Sequence, residues 1–78
     1  MGRSLVPPVL ANMAARLKAA RERKQLTLQE VYDLTGIHVG RLESNRANMT
    51  VLTLLTLCRT YEVQPAEIIT NLEESLQE

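Results

Sequence analysis

Thr27-Leu28-Gln29-Glu30-Val31-Tyr32-Asp33-Leu34-Thr35-Gly36-Ile37-His38-Val39-Gly40-Arg41-Leu42-Glu43-Ser44-Asn45-Arg46-Ala47-Asn48 is the stretch on which the fold turns. Thr27 with Glu30 three residues on is a capping box, in which each side chain accepts from the other's backbone N–H. Leu26 before the cap and Val31 after it suit a hydrophobic staple. A helix is therefore predicted from Thr27 to about Leu34, with a break at Thr35-Gly36. A second short helix follows. Ile37, Val39 and Leu42 are its apolar positions, and His38, Arg41 and Ser44 are free to point outward. Asn45 suits its left-handed end, since Asn tolerates that conformation better than most residues. Asn45, Arg46 and Asn48 then make a basic, amide-rich loop.

The flanking segments read as a scaffold. Pro7 and Pro8 suit a helix start, where a missing N–H costs nothing. Leu10, Met13, Leu17 and Ala20 recur at spacings of three and four, so a helix is predicted from about Pro8 to Lys24. Downstream, Thr50 caps a densely apolar helix reaching about Tyr61. Leu54, Leu57, Cys58 and Tyr61 share one face of it, while Leu52 and Leu55 fall toward another. Pro65 opens a last helix, with Ile68, Ile69, Leu72 and Leu76 along its stripe. Five helices with short connections and no strand signal predict an all-α domain. The expected division is a flexible arm over 1–7, the folded domain over 8–70, and an extension over 71–78 that continues the last helix.

Composition narrows the chemistry. Seventy-eight residues make one small domain, and with 3% aromatics its core is aliphatic. The single cysteine, Cys58, excludes an intrachain disulfide and is read as a core residue. One His, one Cys and no glycine-rich phosphate loop point away from an enzyme, a metal site or a cofactor. The N-terminus lacks the apolar stretch of a signal peptide and no segment is long enough to span a membrane, so a cytoplasmic location is expected. Formal net charge is zero, but its distribution is uneven. The first 46 residues hold eight Lys and Arg against four Asp and Glu, and the rest hold Arg59 against five Glu. That pattern suits one face toward a polyanion and one turned away. Ordinary solvated surface is the alternative.

Arg21-Glu22-Arg23-Lys24-Gln25-Leu26-Thr27, then Glu30-Val31, Arg41-Leu42-Glu43 and Thr50 to Ile69, together resemble the lambda-repressor/Cro-like helix-turn-helix family, also called the xenobiotic-response-element family. The resemblance implies a compact five-helix fold that binds double-stranded DNA, commonly as a dimer, with the third helix in the major groove. It implies an ion pair between Arg21 and Glu43, and phosphate contacts from Asn45, Arg46 and Asn48. Thr27, Gln29, Thr35, His38, Arg41 and Ser44 complete the expected DNA-facing set. Thr27 and Thr35 are explained by capping as well. Arg41 is the expected base reader, since Arg to guanine is the commonest specific contact; a phosphate or a neighbouring carboxylate is its alternative partner.

Five features depart from the family pattern or from helix preference. Asn45 replaces the family's usual glycine. Leu28 stands where many members have a DNA-contacting glutamine, and the adjacent Gln29 is expected to point elsewhere. Tyr32 replaces a small residue packed between the two helices and needs space there. Gly36 to Glu43 is three residues shorter than the common spacing. Three residues are about 4.5 Å and about 300° of helix, so the apolar positions stay nearly in phase while the reading surface shortens. Gly40 inside that helix costs roughly 1 kcal/mol relative to Ala, which suits a close approach of another helix or of DNA.

The leading expectation is a sequence-specific DNA-binding transcriptional regulator of repressor or controller type. Leu42 to Thr50 is similar to the recognition-helix exit of restriction–modification controller proteins. Control would come from concentration, dimerisation or a partner. Leu52, Leu55, Ile69, Leu72 and Leu76 are the candidates for a homodimer interface. The alternative is a protein-interaction module, such as the antitoxin of a toxin–antitoxin pair.

Overall fold

The computed structural model describes residues 8–44 and 48–72. It contains α1 (Pro8–Arg23), α2 (Leu28–Thr35), α3 (Val39–Glu43), α4 (Val51–Tyr61) and α5 (Pro65–Ile69), and no strand among the described residues. The fold is all-α, as the periodicity predicts.

Local chemistry sets most of the boundaries. Thr27 Oγ1 accepts from the Glu30 N–H at 3.0 Å, and the Glu30 carboxylate accepts from the Thr27 N–H at 2.8 Å. That reciprocal pair satisfies two backbone donors the helix leaves free. α2 ends at Gly36, which is left-handed at φ +76° and donates its N–H to Tyr32 O at 2.7 Å. Gly36 is therefore the C-cap of α2, not the first turn of α3. Thr35 Oγ1 donates to Val31 O at 2.8 Å and accepts from the Ile37 N–H at 3.0 Å, which fixes the turn. α4 begins where Thr50 Oγ1 accepts from the Thr53 N–H at 3.0 Å. α5 begins with Pro65 in its first turn, and the Glu67 carboxylate accepts from the Gln64 N–H at 3.1 Å.

Two helix ends carry no such signal. Gln25 and Glu62 are left-handed, each at φ 59°, after α1 and α4. The Leu26 N–H donates back to Arg21 O, and the Val63 N–H to Cys58 O. These bonds close the helices on the residues after the cap, as a Schellman motif does, with a non-glycine at the strained position.

The core gathers one face of each helix. Leu17 and Ala20 of α1, Val31 of α2, Val39 and Leu42 of α3, Leu57, Cys58 and Tyr61 of α4 and Ile68 of α5 form a single buried cluster. Leu26, Ile37, Met49, Leu54 and Val63 pack around it. α3 has five residues, far below the roughly 12–15 at which a helix begins to hold in water unaided. Its place depends on Val39 and Leu42, which are 2% and 7% exposed. Arg16 ties α1 to the end of α5, donating to Ile68 O at 3.0 Å and Thr70 O at 2.6 Å.

The C-terminal end departs from expectation. Thr70 is extended and Asn71 is left-handed, so the last helix stops at Ile69 and does not continue over 70–72. The turn carries Leu72 back into the protein, where it is 6% exposed. Leu72 is thus a buried residue and leaves the set of dimer candidates. Ile69, on the same sequence stripe, stays 46% exposed. Leu76 and the rest of 73–78 lie outside the described residues, as does the arm over 1–7.

Tyr61 is 1% exposed, and its hydroxyl finds no hydrogen-bond partner among the described residues. Burial pushes the phenol up to about 12; the Glu43 carboxylate adds to the rise and Arg21 opposes it. Removing an unpartnered buried hydroxyl costs little or stabilises, so Tyr61→Phe is expected to fold with parental stability or slightly better at pH 7. In the unfolded chain the phenol ionises near pH 10, before the folded one does. The unfolded state then binds fewer protons, so parental stability falls as pH rises from about 10 to about 12. Denaturation across that range is expected to show a smaller fall for Tyr61→Phe; equal falls would contradict the assignment.

Candidate nucleic-acid interface

The surface built by α2 and α3 is held from behind by one cation. Arg21 Nε donates to Glu43 Oε2 at 2.7 Å, and Arg21 Nη2 donates to Glu43 Oε1 at 3.0 Å. Arg21 Nη1 donates to Leu26 O at 2.7 Å. The guanidinium thus fastens α1 to the last residue of α3 and to the segment entering α2. Both side chains of the pair are 10% exposed. The hydrogen bonds to Glu43 hold Arg21 above the ordinary arginine range, outweighing its burial, so it stays charged.

Opposite this tie, α2 and α3 frame an open concavity of about 460 Å³. Leu28, Gln29 and Tyr32 line it from α2. His38, Gly40, Arg41 and Ser44 line it from the α3 side. Tyr32 and His38 stack with ring centroids 4.5 Å apart and planes 29° apart. Tyr32 therefore needs no room between the helices, contrary to expectation; it stands outside them, 40% exposed. Gln29, a member of the expected DNA-facing set, lines the concavity, and its Nε2 donates to Asp33 Oδ1 at 2.9 Å. Gly40 admits no close helix contact. Apart from its chain neighbours and its own helix backbone, a Cβ placed there would meet only Leu28 Cδ1 within 4 Å, at 3.7 Å.

The other expected residues divide into two groups. Thr27 and Thr35 spend their hydroxyls on the cap and the turn. Ser44 Oγ donates to Arg41 O at 3.2 Å at the helix exit. His38 and Arg41 are exposed, and Asn48 lies exposed before α4. Asn45 and Arg46 lie outside the described residues. The basic half of the chain is also less free than its composition suggests. Arg16 and Arg21 are bound internally, and Lys24 pairs with Glu62. The Arg41 side chain makes no hydrogen bond or ion pair among the described residues and lines the concavity.

Sequence reasoning flagged Leu28 and Tyr32 as departures without counting them among the DNA-facing residues, and tied Gly40 to a close approach of another helix or of DNA. The available signal was their helical spacing: Leu28 and Tyr32 lie four apart on α2, clear of the buried Val31. The exposed apolar positions on the remaining helices are Val51, Leu52 and Leu55 of α4 and Ile69 of α5, with Val51 added to the sequence reading.

Breaking a buried pair strands its other charge and costs about 3–5 kcal/mol, against about 0–1 for an exposed pair. A domain this small holds about 3–5 kcal/mol in all. Glu43→Ala is therefore expected to lose most of its cooperative melting transition by circular dichroism. A melt matching the parent would place the pair in the exposed class.

Among the described residues no helix is long and apolar enough to cross a membrane, and no group of His, Cys, Asp and Glu is arranged to hold a metal. Comparison with curated proteins and with solved structures gives no match. A family model, the Cro/C1-type HTH DNA-binding domain, matches residues 16–72, from Arg16 to the buried Leu72. The matched span holds the capping box, the α2–α3 turn and both members of the ion pair, and on that match the chain belongs to the Cro/C1-type helix-turn-helix DNA-binding domain family.

Proposed function

We propose that this protein is a sequence-specific regulator of transcription that reads duplex DNA through the α2–α3 surface, with α3 in the major groove. The observation that carries the reading is Arg41: its exposed side chain lines the concavity, unpaired among the described residues, while Arg16, Arg21 and Lys24 serve the fold. Its fork matches the O6 and N7 acceptors of guanine. His38, Gln29 and Ser44 flank it, and Asn48, with Asn45 and Arg46, supplies backbone contacts. Thr27 and Thr35 contribute chiefly as the residues that shape α2.

The protein acts as a homodimer in this reading. Leu52 is 76% exposed and Leu55 is 46% exposed, with Val51 beside them at 71%. An apolar group of that kind favours a partner surface. Two-fold pairing would set two copies of α3 about one DNA turn apart, roughly 34 Å, over a pseudo-palindrome. A cytoplasmic location and repression or control of a promoter fit the same reading. The exposed α4 residues suit a different protein partner as well, as in an antitoxin.

Selection of bound sequences from random duplex DNA at about 0.1 M salt tests the proposal. The parent is expected to enrich a two-fold symmetric site. Arg41→Ala is expected to relax one position in each half-site, at about 1–3 kcal/mol. Affinity is expected to fall steeply as salt rises, because phosphate contacts release counterions. A folded protein that enriches no site would overturn the regulator reading in favour of a protein-partner module.

A further inference from the structure

The α2–α3 concavity carries a feature that phosphate or guanine contacts leave unused. Leu28 and Tyr32 are 43% and 40% exposed, and both line it beside Arg41. Leaving two large apolar side chains wet on a surface that meets DNA forgoes the gain from burying them. On the base edges of the major groove, the apolar group is the C5 methyl of thymine. Gly40 makes room for such a group. Apart from its chain neighbours and its own helix backbone, a Cβ built there would meet Leu28 Cδ1 at 3.7 Å and nothing else within 4 Å, so the space beside Leu28 is open to a methyl group.

We propose that Leu28, Tyr32 and Gly40 form a methyl-binding notch that reads a thymine next to the base held by Arg41. The proposal rests on the DNA-reading function and adds its specificity. The charge at the notch favours thymine over 5-methylcytosine. Thymine places the O4 acceptor beside its methyl, whereas cytosine places an N4 amino donor there. The charged group at the notch is the Arg41 guanidinium, a donor, and no carboxylate lines the concavity. The Tyr32–His38 stack holds the tyrosine ring in place along one wall.

The test starts from the duplex site enriched by the parent and replaces its thymines one at a time with deoxyuridine, which removes only the methyl. Burying one methyl is worth about fourfold in affinity. The parent is expected to bind about fourfold more weakly at one position per half-site and equally at the others. Gly40→Ala fills that space with its own methyl and favours the helix. It is expected to melt no lower than the parent and to bind thymine and deoxyuridine alike at that position. Leu28→Ala, at an exposed site, is likewise expected to lose the discrimination while remaining folded. Replacing the same T·A pair with 5-methylcytosine·G is expected to weaken binding; equal binding would overturn the commitment to thymine. Indifference of the parent to deoxyuridine at every thymine would overturn the notch while leaving the regulator reading intact. Failure to enrich any site would overturn that reading, and the notch with it.

Discussion

The bidentate contact between Arg21 and Glu43 is the interaction on which the rest of the structure depends. α3 spans five residues, too few to hold a helix by its own hydrogen bonds. Val39 and Leu42 bury one side of it, but two apolar contacts leave its exit free to swing. Glu43 closes that exit against α1, and the same guanidinium holds Leu26 O at the entry to α2. One side chain of α1 thereby fixes both edges of the α2–α3 surface that we propose meets DNA. The arrangement is demanding, because two charges at 10% exposure gain little from water and must satisfy each other.

A short α3 changes how that surface is shared. With about one and a half turns at 3.6 residues per turn, α3 offers Arg41 and little else that projects. α2 supplies the remainder through Leu28, Gln29 and Tyr32, and the result is a concavity instead of a protruding ridge. The stack of Tyr32 on His38 joins the two helices on the outer side, as the ion pair joins them to α1 on the inner side. The left-handed Gly36 between them needs no space for a side chain; it is required by its φ of +76° alone.

The sequence made legible those features that act over a few residues. Thr27 with Glu30, Thr50 and Pro65 each announced a helix start, because a cap and its target lie within one turn. The buried face of α4 followed from spacing, and Leu52 and Leu55 fell off it as the periodicity required. What stayed hidden depends on where the chain bends. Ile69 and Leu72 share one stripe on an uninterrupted helix, but the turn at Thr70 and Asn71 sends one outward and the other inward. Gln25 and Glu62 take the left-handed position with no glycine to mark it. Arg16 binds the carbonyls of Ile68 and Thr70, and a backbone acceptor has no residue type to read. Tyr32 misled because a large ring suggests a need for interior space, whereas His38 gave it an outer partner.

A double-mutant cycle on Arg21 and Glu43, followed by chemical denaturation, tests the central claim most directly. Arg21→Met, Glu43→Leu and the double variant would be compared with the parent at neutral pH. If the pair is the tie that holds α3 in place, each single change strands a charge and the double change relieves it. The expected coupling is about 1–3 kcal/mol, with the double variant more stable than either single one. Additive losses, with coupling within about 0.5 kcal/mol of zero, would mean that Val39 and Leu42 hold α3 without the pair.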